Sequence, residues 1–133
     1  MPSFYIYFKE PPGRNDYVEF RYLSQHLDEI DAVSRKHKLP ELGKLVQWGD
    51  EEGENRASNQ SVDNANGDFL AVLEARQVID TLITRITSMT DRQFCSEFRD
   101  GRAIAIRGLV ELGCFLWSTN EHSDWEFQFQ WSL

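Results

Sequence analysis

The sequence predicts an α+β domain: a small, mainly antiparallel sheet covered on one face by three or four helices. Three observations carry that expectation. The chain ends in strict alternation, with Trp125, Phe127, Phe129 and Trp131 on one parity and Glu126, Gln128, Gln130 and Ser132 on the other. A period of two sends successive side chains to opposite faces of a strand, so one face is aromatic and the other is expected to be wet. Near the start, Phe4-Tyr5-Ile6-Tyr7-Phe8 is a second aromatic and β-branched run. Between them, Val78, Ile79, Leu82, Ile83 and Ile86 fall on the i, i+1, i+4, i+5, i+8 stripe of a helix with one buried face. Large aromatics on one strand face need a cover, and helices of this kind supply it. At 133 residues the chain is expected to form one domain, 1–133, with a polar loop or insertion at about 49–68.

The elements follow in order. Pro11-Pro12-Gly13 ends the first strand. A helix is expected after Ser24, whose hydroxyl can cap the first turn. It carries Leu27, Ile30 and Val33, with Asp28, Glu29 and Asp31 at its positive end and Arg35, Lys36 and Lys38 at its negative end. Pro40 stops it. Leu42, Leu45, Val46 and Trp48 form an apolar segment that fits either type of element. From Gly49 to Asp68 the composition turns to Gly, Asn, Asp, Glu and Ser, which cannot offset their ordering entropy by burial. After the central helix, Thr90 and Asp91 look like caps for a short helix carrying Phe94 and Phe98. Asp100-Gly101 interrupts it before a last helix with Ile104, Leu109 and Leu112. Gly113 stands where a left-handed stop is expected. Cys114-Phe115-Leu116-Trp117 then reads as a strand, with Cys114 buried, in an antiparallel hairpin with the terminal strand.

Charge narrows the function. The net charge is −8, with no large basic block, and nucleic-acid binding normally needs Lys and Arg to displace counterions. No nucleic-acid partner is expected. No apolar run reaches the roughly 20 residues that span a bilayer, so no membrane partner is expected either. Met1 to Glu10 lacks a basic leader and reads as a strand, so Cys95 and Cys114 are expected to be free thiols in a cytoplasmic protein.

No catalytic motif stands out. His26 and His37 could share a helix face, but about 16 Å apart along its axis, too far to share a metal. Both are expected to be surface or capping residues, and no metal or cofactor is expected. Asp63 to Asp68 imitates a calcium loop, but the anchor positions fall on Val62 and Leu73, which cannot ligate. There is no nucleophile elbow or phosphate loop, and Gly101 and Gly108 are too far apart to imitate a dinucleotide fingerprint. Cys95 needs a base, and the sequence cannot show whether His122 or His26 comes near.

Two sets of site residues result. Asp50, Glu51, Glu52 and Glu54 form an acidic cluster that can steer a basic protein, with Trp48 as an aromatic anchor. The alternative set, for a small enzyme or small-molecule-binding domain, is Cys95, His122 and Asp124.

The segments Lys36-His37-Lys38-Leu39-Pro40-Glu41-Leu42, Val78-Ile79-Asp80-Thr81-Leu82-Ile83 and Leu109-Val110-Glu111-Leu112-Gly113-Cys114-Phe115 resemble a pattern in small uncharacterised bacterial proteins. The resemblance implies a bacterial origin and a compact α+β domain, and it implies no activity. The function expected from the whole sequence is a non-catalytic cytoplasmic protein-binding domain, of the immunity or inhibitor type, acting on a basic partner. A homo-oligomer through the edge of the terminal hairpin is a further expectation.

Overall fold

The computed structural model describes residues 3–9, 14–16, 19–47, 67–119 and 124–132. Its elements in chain order are β1 (Ser3–Phe8), β2 (Arg14–Asp16), α1 (Arg21–Gln25), α2 (Leu27–Lys36), a 3₁₀ turn (Leu42–Leu45), β3 (Val46–Gln47) and β4 (Leu70–Ala71). Then come α3 (Val72–Thr87), α4 (Asp91–Phe94), α5 (Gly101–Ser118) and β5 (Glu126–Ser132). This is an α+β fold, as the patterning predicts.

The C-terminal strand is the centre of the sheet. β5 pairs antiparallel with β1 along its length, from Ser3↔Ser132 to Phe8↔Phe127. Its other edge takes two short strands end to end: β3 in parallel at Val46↔Phe129, and β4 antiparallel at Leu70↔Phe127. β2 extends the sheet beyond β1. Register follows from the pleat. Phe4, Ile6 and Phe8 share a face with Phe127 and Phe129, all essentially without solvent contact. The Phe4 and Phe129 rings lie 5.3 Å apart and Phe8 meets Trp125 at 5.4 Å. The helices close this face: Phe20 and Phe115 meet at 5.7 Å, and Phe8 faces Phe115 at 6.4 Å.

The predicted strand at 114–117 is helical, so there is no terminal hairpin. α5 runs through Gly113, because Gly101, Ala105, Gly108, Leu109, Leu112 and Leu116 form one continuous buried stripe. Within it, one glycine costs only about 1 kcal/mol. Cys114, expected to be buried, is exposed on the opposite side. β5 therefore offers no free hairpin edge: it is paired with β1 on one side and with β3 and β4 on the other.

Two other expectations change. The helix expected after Ser24 is two helices broken at His26, and Ser24 lies inside α1, donating its hydroxyl to the Arg21 carbonyl at 2.9 Å. The second face of the sheet is not uniformly wet: Gln128 is buried and donates Nε2 to the Gly67 carbonyl at 2.8 Å. Residues 67–69 cover that face there, with Phe69 6.4 Å from the Tyr7 ring. The outer tyrosines otherwise pair across strands with glutamines, Tyr5 with Gln130 and Tyr7 with Gln128, as the parity predicts.

Close backbone approach sets how α1 meets α5. A Cβ at Gly108 would sit 2.6 Å from Leu23 N and 2.7 Å from Leu23 Cα. Only glycine lets α1 lie this close. α2 ends in a Schellman motif: Leu39 N–H donates to the Ser34 carbonyl at 2.8 Å and Lys38 N–H to the Arg35 carbonyl at 3.3 Å. Lys38 takes the left-handed position, with φ 58°.

Candidate functional site

The sequence-predicted residues scatter. Trp48, Asp50, Glu51, Glu52 and Glu54 lie outside the described residues, as does His122. Asp124 is an exposed turn residue before β5. Cys95 directly follows α4 and is buried. It packs at the start of α5 against Gly101, whereas Asp124 comes after the other end of that helix, next to β5. The structure does not bring them together.

It brings Cys95 to His26 instead. His26 occupies the break between α1 and α2, with φ −128° and ψ 34°. Its ring is buried against Phe94 and Phe98, with centroids 6.4 and 6.0 Å away, where the sequence suggested a surface or capping residue. Glu29, three residues on, lies on the same side of α2 and places Oε1 3.3 Å from His26 Nδ1. A ring nitrogen of His26, a Glu29 carboxylate oxygen and Cys95 Sγ all lie within 4.8 Å of one another. Gly101 makes this convergence possible: a Cβ there would meet Cys95 Cβ at 2.9 Å, His26 Cε1 at 3.1 Å and Cys95 Sγ at 3.3 Å.

Two surface cavities flank the cluster. One, of about 390 Å³, has His26, Phe98, Arg99 and Ile104 in its wall. The other, of about 310 Å³, is walled by Asp91, Cys95, Glu97 and Arg99. Phe98 was expected inside the short helix. Instead α4 ends at Phe94, its capping box closed by Thr90 and Gln93, and Phe98 stands 59% exposed at the cavity rim.

A second surface runs along α5. Val110, Cys114 and Trp117 are spaced i, i+4, i+7 and all exposed, Trp117 at 57%. Trp117 is held in place from below. Arg76, buried in α3, sets its guanidinium 4.5 Å from the Trp117 ring centroid. The same guanidinium donates Nε and Nη2 to the Leu116 carbonyl at 3.2 and 2.8 Å. Leu73 and Glu74, both exposed, begin α3 at this end of the helix pair. The sequence hides this surface because Cys114-Phe115-Leu116-Trp117 reads as a strand, whereas all four residues are helical.

One titration stands out. Asp31 is buried in α2 and accepts the Gly43 amide proton at 3.2 Å. Burial pushes its carboxyl up from 3.8 to about 6, and the charges of Glu41 and Asp28 add to the effect. The Gly43 N–H and Arg35 act in the other direction. A Cβ at Gly43 would collide with Asp31 Oδ2, so any larger residue there would displace the carboxylate from its contact with the turn.

Among the described residues no helix is long and apolar enough to cross a membrane. Comparison with protein-family models, with curated proteins and with solved structures found no match.

Proposed function

We propose that this chain is a non-catalytic protein-binding domain that captures a basic protein partner, in the manner of an immunity or inhibitor protein. The observation that carries the reading is Trp117, 57% exposed at the end of the Val110–Cys114–Trp117 stripe and held by Arg76. Binding energy in protein interfaces concentrates in such aromatic anchors, and a rigid one loses little side-chain entropy on association. The net charge of −8 supplies the complementary field for a basic partner and speeds encounter. The test is affinity capture with wild-type and Trp117→Ala baits at low and high salt. A basic protein held by the wild type, released by salt and weakened at least about tenfold by the substitution supports the reading. Capture indifferent to both salt and Trp117 removes it.

A second reading is a small-molecule-binding domain. It draws on the cavity of about 390 Å³ beside His26, which falls within the usual size of ligand pockets. Thermal-shift screening of small ligands tests it, with Phe98→Ala expected to abolish any stabilisation found. A ligand whose effect survives Phe98→Ala does not use this cavity.

A further inference from the structure

We propose that His26, Glu29 and Cys95 form a binding site for a divalent transition metal ion of the zinc class. The site is independent of the protein-binding surface and shares no residue with it.

The donor set selects the metal. One thiolate, one imidazole and one carboxylate suit a borderline ion such as Zn²⁺, and Mg²⁺ or Ca²⁺ would demand more oxygen donors. The spacing fits as well. Tetrahedral coordination with bonds of about 2.0–2.3 Å separates its donors by roughly 3.3–3.8 Å. His26 Nδ1 and Glu29 Oε1 are already 3.3 Å apart. That distance falls within the edge lengths of a coordination tetrahedron. All three donor atoms lie within 4.8 Å of one another, so reaching tetrahedral separations shortens the widest gap by about 1–1.5 Å.

The surroundings are built for it. Gly101 leaves the space into which Cys95 and His26 converge, and any Cβ would fill it. Phe94 and Phe98 lie edge-on to the imidazole, with ring centroids 6.4 and 6.0 Å away. Cys95 and His26 are buried while the Glu29 side chain is 34% exposed, so the ion has a route in along the carboxylate. Three protein donors leave a fourth position for water, the pattern of an open zinc site rather than a closed structural one.

The test is titration of the purified full-length, reduced protein with Co²⁺, followed by its thiolate-to-metal charge-transfer absorption, and with Zn²⁺ in competition against a chromogenic chelator. The expected result is one equivalent bound with a charge-transfer band displaced by Zn²⁺. Cys95→Ser should abolish the band. Glu29→Gln, on a side chain that is 34% exposed, should weaken binding by about tenfold or more. Cys114→Ser should leave the Co²⁺ band and the metal stoichiometry as in the wild type, because that thiol is exposed and is not one of the three donors. Circular dichroism of each metal-free variant confirms that it is folded. Absence of a saturable band in the wild type, a band that survives Cys95→Ser, unchanged affinity in Glu29→Gln, or a band lost with Cys114→Ser would overturn the proposal.

Discussion

Gly108→Ala and Gly113→Ala make the same chemical change in the same helix, and the structure predicts opposite signs. Both positions lie inside α5, so each substitution gains helix propensity of about 0.8–1.0 kcal/mol. At Gly113 the new methyl would meet only Ile79 Cγ2, at 3.5 Å, an ordinary contact. Nothing opposes the gain there, and Gly113→Ala should stabilise by about 0.5–1 kcal/mol. At Gly108 the methyl would lie 2.6 Å from Leu23 N, 2.7 Å from Leu23 Cα and 2.9 Å from Tyr22 C. These are backbone atoms of α1 and cannot rotate away. To restore contact distance α1 must retreat by roughly 0.7–1 Å, and overpacking of that kind costs about 1–3 kcal/mol. Subtracting the propensity gain leaves a net loss of about 0–2 kcal/mol, so the two variants should differ by about 0.5–3 kcal/mol. Urea denaturation of wild type and both variants reads this directly. Equal stability of the two variants, or a Gly108→Ala protein more stable than Gly113→Ala, would refute the α1–α5 packing described above.

Asp31 gives a pH signature. Its folded-state value of about 6 exceeds the ordinary 3.8, so the stability it contributes is fully present below pH 3.8 and is lost as pH rises through 6. The span corresponds to roughly 3 kcal/mol at most, at about 1.4 kcal/mol per pH unit. Asp31→Asn keeps the acceptor for Gly43 N–H, so it should raise stability at pH 7.5 by about 1–3 kcal/mol and flatten the pH profile between 4 and 6. An unchanged slope in urea titrations across that window would contradict the assignment. Arg76→Ala leaves the Leu116 carbonyl without its buried cationic donors and removes the Trp117 stack, a loss of about 2–4 kcal/mol by denaturant midpoint. A loss below about 0.5 kcal/mol would show that the pairing contributes little. Lys38→Gly relieves a left-handed lysine at the end of α2 and should raise the melting temperature by an amount equivalent to about 0.5–1 kcal/mol. A lower melting temperature would mean that the strain at φ 58° is smaller than the entropy glycine adds to the unfolded chain.

The fold class was legible because its two signals are unambiguous. Alternation in 125–131 and the helical stripe of 78–86 each admit one period, and both elements appear where expected. Residues 114–117 were not legible for the converse reason. Four consecutive apolar residues fit a buried strand or a helix equally well. The arbiter was the small-residue stripe Gly101, Ala105, Gly108, which looks like punctuation in sequence and is a packing surface in space. Gln128 is polar by type, and its burial depends on the Gly67 carbonyl arriving from a distant part of the chain. The His26 cluster was half visible. His26 and Glu29 have i, i+3 spacing, but the approach of Cys95 is a tertiary contact made through Gly101, and no local pattern announces it. Trp117 is hidden as an exposed aromatic because residues 114–117 read equally well as a strand.

Capture of a basic protein through the surface around Trp117, as proposed, is read best by an association rate. The partner retained by the wild-type bait would be purified and its association followed by stopped flow at increasing salt, with wild type and Trp117→Ala. The account predicts that association slows by about tenfold or more from low to high salt for both proteins, with Trp117→Ala dissociating at least about tenfold faster. A rate independent of salt, together with identical dissociation of the two proteins, would contradict it.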